Sequence, residues 1–440
     1  MKNRIKIKDT QDRLITPSGL LLAGALLAKT TLGRMLNRIG KPDGVKHQNS
    51  NCVIPYIGLL CQGKTAYDDI RELQEDPGFT CQALCINTIP SAETLRQRMD
   101  YLAKEIKESG MVMAASVEML KSAGIEPTPT HTGHLPLDID VSVHDNSLTK
   151  KEGVEWTYKG VDGYSPIYAY IGEEGYLCNA QLREGSKHSQ CAGTVEFLED
   201  TLRLARQLTP EKLLVRMDSG NDSLDNIKLF IKEDADFVIK RNCRGESLDN
   251  WLYTAMRHGT PSNPRTGKVT YTGSVYRKRE GVGEPLRIVF EVSEITASAN
   301  GQMLLQSEID VQTWWTSLDY PEDKVIRLYN DHATCEQFHS EIKTDIGLER
   351  FPSGKFDTNA AILLLGALAY NILRIIGQEA LRGGTKLTRR NVRRLRAKTV
   401  INRFMLIAGR VIEHARQVFI TLGRSNIWRQ RFTELYTAFV

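Results

Sequence analysis

The sequence predicts an α/β protein: a mixed core flanked by a helical N-terminal region and a basic helical C-terminal region. Three observations carry that prediction. From Leu135 to Arg241, short β-rich runs alternate with helical patterns in the order β-β-β-α-β-α-β. Residues 243–320 then break the rhythm with long runs of strand character, which read as a β-rich insertion. A stretch without glycine or proline follows from Glu322 to Ile346, where a helix is the default.

At 440 residues the chain is too long for one core and allows two or three domains. A composition of 41% hydrophobic and 25% charged residues is that of a globular protein. The net charge of +5 is unevenly spread: from Arg382 to Arg431, 14 lysines and arginines stand against one acid, Glu413. Such a basic segment on a near-neutral body points to a polyanionic partner, most often nucleic acid, with a solubilising tail as the alternative. None of the eight cysteines forms a CxxC, and no histidine cluster supplies zinc spacing, so a reducing cytoplasm fits best.

Residues 1–130 read as mostly helical. Ser18–Ile39 contains the apolar run GLLLAGALLA, which is followed by Lys29 and Arg34 and fits a core helix better than a signal segment. Ser91–Ser109 opens on a capping serine. Its basic positions in Thr94–Arg98 suit a surface or a DNA contact equally. Gly124–Gly133, GIEPTPTHTG, is a linker by composition. The core's first part spans 131–242. It has strands at 135–143, 164–171, 176–182, 212–218 and 236–241, a glycine turn at 172–175, and helices at 194–207 and 223–232. The insertion, 243–320, has strands near 269–279, 286–295 and 303–318. The core's second part, 321–381, holds the late helix and an apolar helix at 357–381. Asn371 and Arg374 interrupt that helix before a membrane span accumulates, so no span is expected. The last region, 382–440, reads as basic helices near 387–398 and 400–421.

On the late helix, Tyr329, Glu336 and Lys343 recur every seven residues and His332 precedes Glu336 by four, so all four share a stripe. A carboxylate, an imidazole, a phenol and an ammonium are poor core material and suit a metal ion and a phosphate; a solvated helix face is the alternative. Asp138 and Asp140 alternate onto one strand face, and Asp218 ends another strand. Lone acids at strand ends are usually turn formers. Three of them, on two strands and a helix, can converge on Mg²⁺, which prefers hard oxygen ligands. Two such ions about 4 Å apart serve in-line phosphoryl transfer.

The helix motif Tyr329-x2-His332-x3-Glu336-x6-Lys343 resembles the Y-x2-R-x3-E-x6-K signature of IS4-type DDE transposases, with histidine in place of arginine. The stretches LDIDVSVHDNS, KKEGVEWTYKGVDGYSPIYAYIGEEGY, LLVRMDSGNDS and YNDHATCEQFHSEIKTDIGLERFPSGKF are similar to the IS1380 family of bacterial insertion-sequence transposases. The resemblance implies an RNase H-like core interrupted by the β-rich insertion, which explains why Glu336 follows Asp218 by as many as 118 positions. It implies cut-and-paste DNA transposition with two Mg²⁺ or Mn²⁺ ions held by Asp140, Asp218 and Glu336. Asp138 is the alternative first acid, and Glu341 a weaker rival for the third because it points well off the stripe. Tyr329, His332 and Lys343 match positions that touch DNA phosphates near the cut, and histidine there offers fewer donors than arginine. The implied partners are double-stranded terminal inverted repeats, target DNA and a second copy of the chain. The expected setting is a bacterial cytoplasm, on the nucleoid.

Further DNA contacts are weighed residue by residue. Lys240 and Arg241 follow a strand and either reach phosphate or form a surface pair. Arg389, Arg390, Arg393, Arg394 and Arg396 crowd one short predicted helix, where like charges repel unless an anionic duplex neutralises them. Trp315, beside Trp314, either packs in the core or stacks on a flipped base. Three rival functions remain. The first is an RNase H-like nuclease without strand transfer. The second is a captured transposase that only binds DNA. The third is a carboxylate-pair hydrolase such as a glycosidase, which the basic C-terminal segment fits poorly.

Overall fold

The computed structural model describes residues 7–42, 44–187, 189–383, 392–415 and 417–440. Two compact units divide the chain, one of residues 126–340 and the other of residues 1–125 with 341–440.

The 126–340 unit is built on a nine-stranded sheet. Its inner part runs, in spatial order, Tyr176–Gln181, Ile167–Ile171, Leu135–Val141, Leu213–Met217 and Asp236–Lys240. Each of the first three strands is antiparallel to its neighbour, and the last three are parallel. Strand alternation gives this sheet two different faces. Phe237 packs on Phe230 of the helix Leu224–Lys232, with ring centroids 6.1 Å apart. On the other face Leu214 and Val238 pack with Trp314 and with Val325 and Leu328 of the helix Glu322–Asn330.

The strands of the region expected to be an insertion extend the same sheet rather than forming a separate layer. Met303–Thr316 pairs antiparallel with Asp236–Lys240, and Leu286–Ala297, Lys268–Arg277 and Gly259–Arg265 follow outward. The outermost strand, GTPSNPR, is not among the expected strands and carries two prolines; pairing with Lys268–Arg277 makes it a strand. The helix Leu248–His258, also unexpected, opens where the Ser247 hydroxyl accepts from the Asn250 N–H. At its base Glu246 accepts from Arg241 Nη2 at 2.7 Å, Arg277 Nη1 at 2.9 Å and Trp251 Nε1 at 2.7 Å. Burial works to raise this carboxyl, but the three donors outweigh it and hold it at about 2, against an ordinary 4.5. Its contribution to stability is therefore complete above pH 4.5 and fades as pH falls toward 2. Urea unfolding of wild type and Glu246→Gln should show a gap at pH 6 that narrows by pH 3.

The second unit is helical around Phe356–Arg382, a 27-residue helix long and apolar enough to cross a membrane, whose most apolar 18 residues are buried here. It packs against Ser50–Leu60, Ala92–Glu108 and Met111–Ser122. The two polar residues expected to interrupt it are buried and paired instead. Asn371 donates to Ser116 Oγ at 2.8 Å, and Arg374 donates to Glu341 Oε1 at 3.0 Å and to the Tyr370 hydroxyl at 2.7 Å. The helix expected over 18–39 is two, Leu20–Ala28 and Leu32–Arg38, because Glu118 accepts from both the N–H and the hydroxyl of Thr31. Ser91 caps Ala92–Glu108 by accepting from the Thr94 N–H. Arg98 is buried and donates to Asn49 Oδ1, so it presents no charge to a ligand.

The basic helix expected over 400–421 is corrected. Gly409–His414 and Gln417–Leu422 form a hairpin whose sheet is completed by Arg13–Ile15. Val411, Ile412, Val418, Ile420 and Thr421 favour strands, and the third strand comes from the far end of the sequence, beyond the reach of any local pattern. Of the helix expected over 387–398, residues 387–391 lie outside the described residues. Arg393 and Arg394 lie in an irregular segment before the short helix Ala397–Val400.

Candidate active site

The strand Leu135–Val141 turns Leu137, Ile139 and Val141 to one face and Asp138 and Asp140 to the other. Its parallel neighbour Leu213–Met217 pairs Asp138 with Arg216 and Ile139 with Met217. One step further along that register stand Asp140 and Asp218, side by side at the carboxyl ends of the two strands. Asp218 Oδ1 accepts from the Gly220 N–H at 3.1 Å and from Asn221 Nδ2 at 2.7 Å, so the acid also organises its own turn. Burial, followed by the nearby Asp140 charge, raises the Asp218 carboxyl.

Asp138 and Asp140 have different tasks. Asp138 is 3% exposed. Arg216 grips it with both ends of the guanidinium, Nε to Oδ1 at 2.5 Å and Nη2 to Oδ2 at 2.7 Å. His332 Nδ1 lies 3.1 Å from the same Oδ1. Arg216 Nη1 also donates to the Leu328 carbonyl at 2.8 Å, which ties the helix Glu322–Asn330 to both strands. Burial pushes the Asp138 carboxyl up, but Arg216 and His332 outweigh it and hold it at about 2. Asp140 is the more accessible acid. Its Oδ1 accepts from the Val141 N–H at 2.7 Å, and its Oδ2 lies 3.2 Å from His339 Nε2. Burial opposes its charge most strongly, but His339, His332 and the Val141 N–H together outweigh it and leave the carboxyl below its ordinary range.

The stretch that carries Glu336 is helical but not one regular helix. Glu322–Asn330 tightens into a 3-10 turn over Asp331–Thr334 and resumes as Cys335–Ser340. In a 3-10 turn residues three apart eclipse, and Tyr329 and His332 have ring centroids 6.0 Å apart. Phe338 anchors the resumed helix at the glycine turn. Gly175 has φ +71°, and a side chain there would run into the Phe338 ring. Glu336 is exposed and stands four residues after His332 and three before His339, the two histidines that reach Asp138 and Asp140. Tyr329 is half-buried beside Trp314, in the field of Asp218 and Asp140, and keeps its phenolic proton.

Several expected DNA contacts are elsewhere. His332 is buried on Asp138 rather than turned to solvent. Arg241 is buried: its guanidinium pairs with Glu246 and lies 4.7 Å from the Trp315 ring centroid. Trp315 is 1% exposed and donates Nε1 to Asp222 at 2.8 Å, the core-packing alternative rather than an open stacking platform. Lys240 is half-buried with Nζ 3.4 Å from Gln312 Oε1. Lys343 belongs to the other unit, on the π-helical turn Glu341–Asp345. In that unit Glu341, the rival third acid, is buried and accepts from Arg374 and from the Ala397 N–H at 2.7 Å. Arg389 and Arg390 lie outside the described residues.

Three contributors escaped the sequence. Arg216 reads as an ordinary strand residue, and His339 as one more polar position on the helix. Tyr158, from the loop before residue 160, donates its hydroxyl to the Val141 carbonyl at 3.2 Å; burial and the Asp140 and Asp218 charges push it up to about 12.

Asp138, His332 and Cys335 bring possible metal-ligating atoms within 4.8 Å of one another. Arg216 already uses both Asp138 oxygens, and a cation would face its guanidinium at close range. Among the described residues Asp140, Asp218 and Glu336 are not a group whose ligating atoms all come that close, but none of the three is gripped by a guanidinium as Asp138 is. Asp140 and Asp218 offer hard oxygens, and Asp218 carries a charge that burial and Asp140 disfavour and a cation would stabilise.

A family model for the transposase DDE domain, group 1, matches residues 1–439. Among solved structures, the chain is similar to the piggyBac transposase in the cryo-EM structure of its synaptic complex with hairpin DNA. The match has 9% identity and a TM-score of 0.42, and covers 88% of this chain and 78% of that one. No curated protein matches.

Proposed function

This chain belongs to the transposase DDE domain group 1 family, and from that premise we propose that it moves an insertion sequence of the IS1380, IS4-type kind by cut-and-paste transposition. Asp140, Asp218 and Glu336 are the catalytic triad. The observation that carries this assignment is the register that ends two adjacent parallel strands on Asp140 and Asp218, with Glu336 between the two histidines that reach the same strand. The order of the five inner strands supports an RNase H-like core.

The three carboxylates would hold two Mg²⁺ or Mn²⁺ ions, which activate the attacking oxygen and stabilise the leaving one. Water breaks the P–O3′ bond at the element end, and the freed 3′-hydroxyl then attacks the opposite strand or target DNA. Arg216, Asp138 and His332 hold the Glu336 segment against the strands. Tyr329, with its proton retained, donates to a phosphate oxygen, and Lys343 and the basic residues after Arg382 track the backbone of the terminal inverted repeats. Two ends are held by two copies of the chain, in the bacterial cytoplasm on the nucleoid.

An Asp218→Ala protein should shift a duplex carrying the element's ends on a gel as wild type does, and fail to cut it in Mg²⁺. Undiminished cutting would overturn the triad. Joining of cut ends to a target plasmid by wild type separates a transposase from a nuclease of the same fold.

A further inference from the structure

We propose that His339, held by Tyr170, is a positioning residue that fixes the orientation of the Asp140 carboxylate; the proposal rests on the triad reading above. Neither residue belongs to the tyrosine–histidine–glutamate–lysine motif of the helix, although His339 stands seven residues after His332.

His339 is 6% exposed and sits between two aromatic rings of the strand Ile167–Ile171. The Tyr168 and Tyr170 centroids lie 5.3 Å and 5.4 Å from its own. The Tyr168 hydroxyl is engaged with His144 Nε2 at 2.9 Å. The Tyr170 hydroxyl lies 3.1 Å from His339 Nδ1, and His339 Nε2 lies 3.2 Å from Asp140 Oδ2. An ionised carboxylate only accepts, so Nε2 carries the proton. In the neutral ring Nδ1 is then the lone-pair nitrogen, and the tyrosine donates to it. The result is a directed chain from Tyr170 through His339 to Asp140, all within one unit.

On its other oxygen Asp140 accepts from the Val141 N–H. Two donors, one on each oxygen, stop rotation of the carboxylate and leave its remaining lone pairs aimed away from the strand. Residues that orient a metal-binding carboxylate in this way are worth about 10–100-fold in metal affinity. Because His339 lies three residues after Glu336 on the same short helix, the contact also couples the orientation of Asp140 to the placement of Glu336.

Mn²⁺ titration of the full-length protein, followed by the EPR signal of the free ion, tests this. His339→Ala should weaken Mn²⁺ binding by about 10–100-fold. His339→Gln, whose amide can present an N–H near Nε2, should recover part of the loss. Tyr170→Phe, which keeps the ring and removes only the donor to Nδ1, should weaken binding less than His339→Ala while leaving the melting temperature and the end-DNA gel shift unchanged. Cleavage by His339→Ala should return at saturating Mn²⁺, which a collapsed fold would not allow. If Asp140→Ala abolishes Mn²⁺ binding while His339→Ala and Tyr170→Phe bind as tightly as wild type, the positioning role is overturned and the triad stands. If Asp140→Ala binds Mn²⁺ as tightly as wild type, the triad reading itself fails. Should His339→Ala not fold, Tyr170→Phe decides: unchanged affinity overturns the proposal.

Discussion

Arg216→Ala is expected to destabilise the 126–340 unit by about 3–5 kcal/mol, because it leaves a buried carboxylate without its main counter-charge. Asp138 is 3% exposed and Arg216 4%, so water cannot replace the lost guanidinium without opening the sheet. The loss includes the bond to the Leu328 carbonyl, which fastens the helix Glu322–Asn330 to the strand face. Removing both charges tells a different story. Replacing a whole buried ion pair by apolar residues of similar volume is often close to neutral, so Arg216→Met with Asp138→Leu should recover most of the stability. Four of the five tryptophans, 156, 251, 314 and 315, belong to this unit, so urea unfolding followed by tryptophan fluorescence reports mainly on it. A loss below about 1 kcal/mol for Arg216→Ala, the range of an exposed pair, would show that Asp138 is not carrying a buried charge.

The same network shows where local reading of the sequence succeeds and where it stops. The alternation in LPLDIDVSV puts Asp138 and Asp140 on one face, and the short buried run KLLVRMD is a strand over Leu213–Met217 with Asp218 just past its end. What periodicity cannot supply is the division of labour between two acids on one face. That depends on Arg216 standing opposite Asp138 in a neighbouring strand, 78 positions away. The seven-residue spacing on the late helix likewise brings Tyr329, His332 and Glu336 into view, but it assumes an uninterrupted helix. The 3-10 turn at Asp331–Thr334 lets His332 turn inward, so the residue standing where the resembled motif has arginine serves the fold's interior instead of a phosphate. Trp315 and Arg241 mislead for a related reason. Aromatic and cationic side chains at the edge of an insertion suit nucleic acid, and the same two groups stacked on each other in a sheet suit a core equally well. The Gly409–Leu422 hairpin fails as a helix because its third strand, Arg13–Ile15, cannot be found within any local window.

Glu336→Gln should abolish cutting of end DNA, and its comparison with Glu341→Gln identifies the third acid. Glutamine keeps the size and the helix propensity of glutamate and removes the charge. At an exposed position away from any ion pair, such a change moves stability by no more than about 0.5 kcal/mol, so melting and gel shift should be those of wild type. Cutting should fall by more than about a hundredfold, since residues that merely orient a metal ligand already account for 10–100-fold. Glu341 predicts the opposite pair of outcomes. It is buried, accepts from Arg374 and caps the Ala397 N–H, so Glu341→Gln lowers the melting temperature by weakening a buried charge pair, while the folded protein still cuts at a temperature below its transition. Catalysis lost with stability kept at position 336, and stability lost with catalysis kept at position 341, assigns the third carboxylate to Glu336. The reverse pattern would move the metal site to the other unit and leave Asp140 and Asp218 without a partner on the helix.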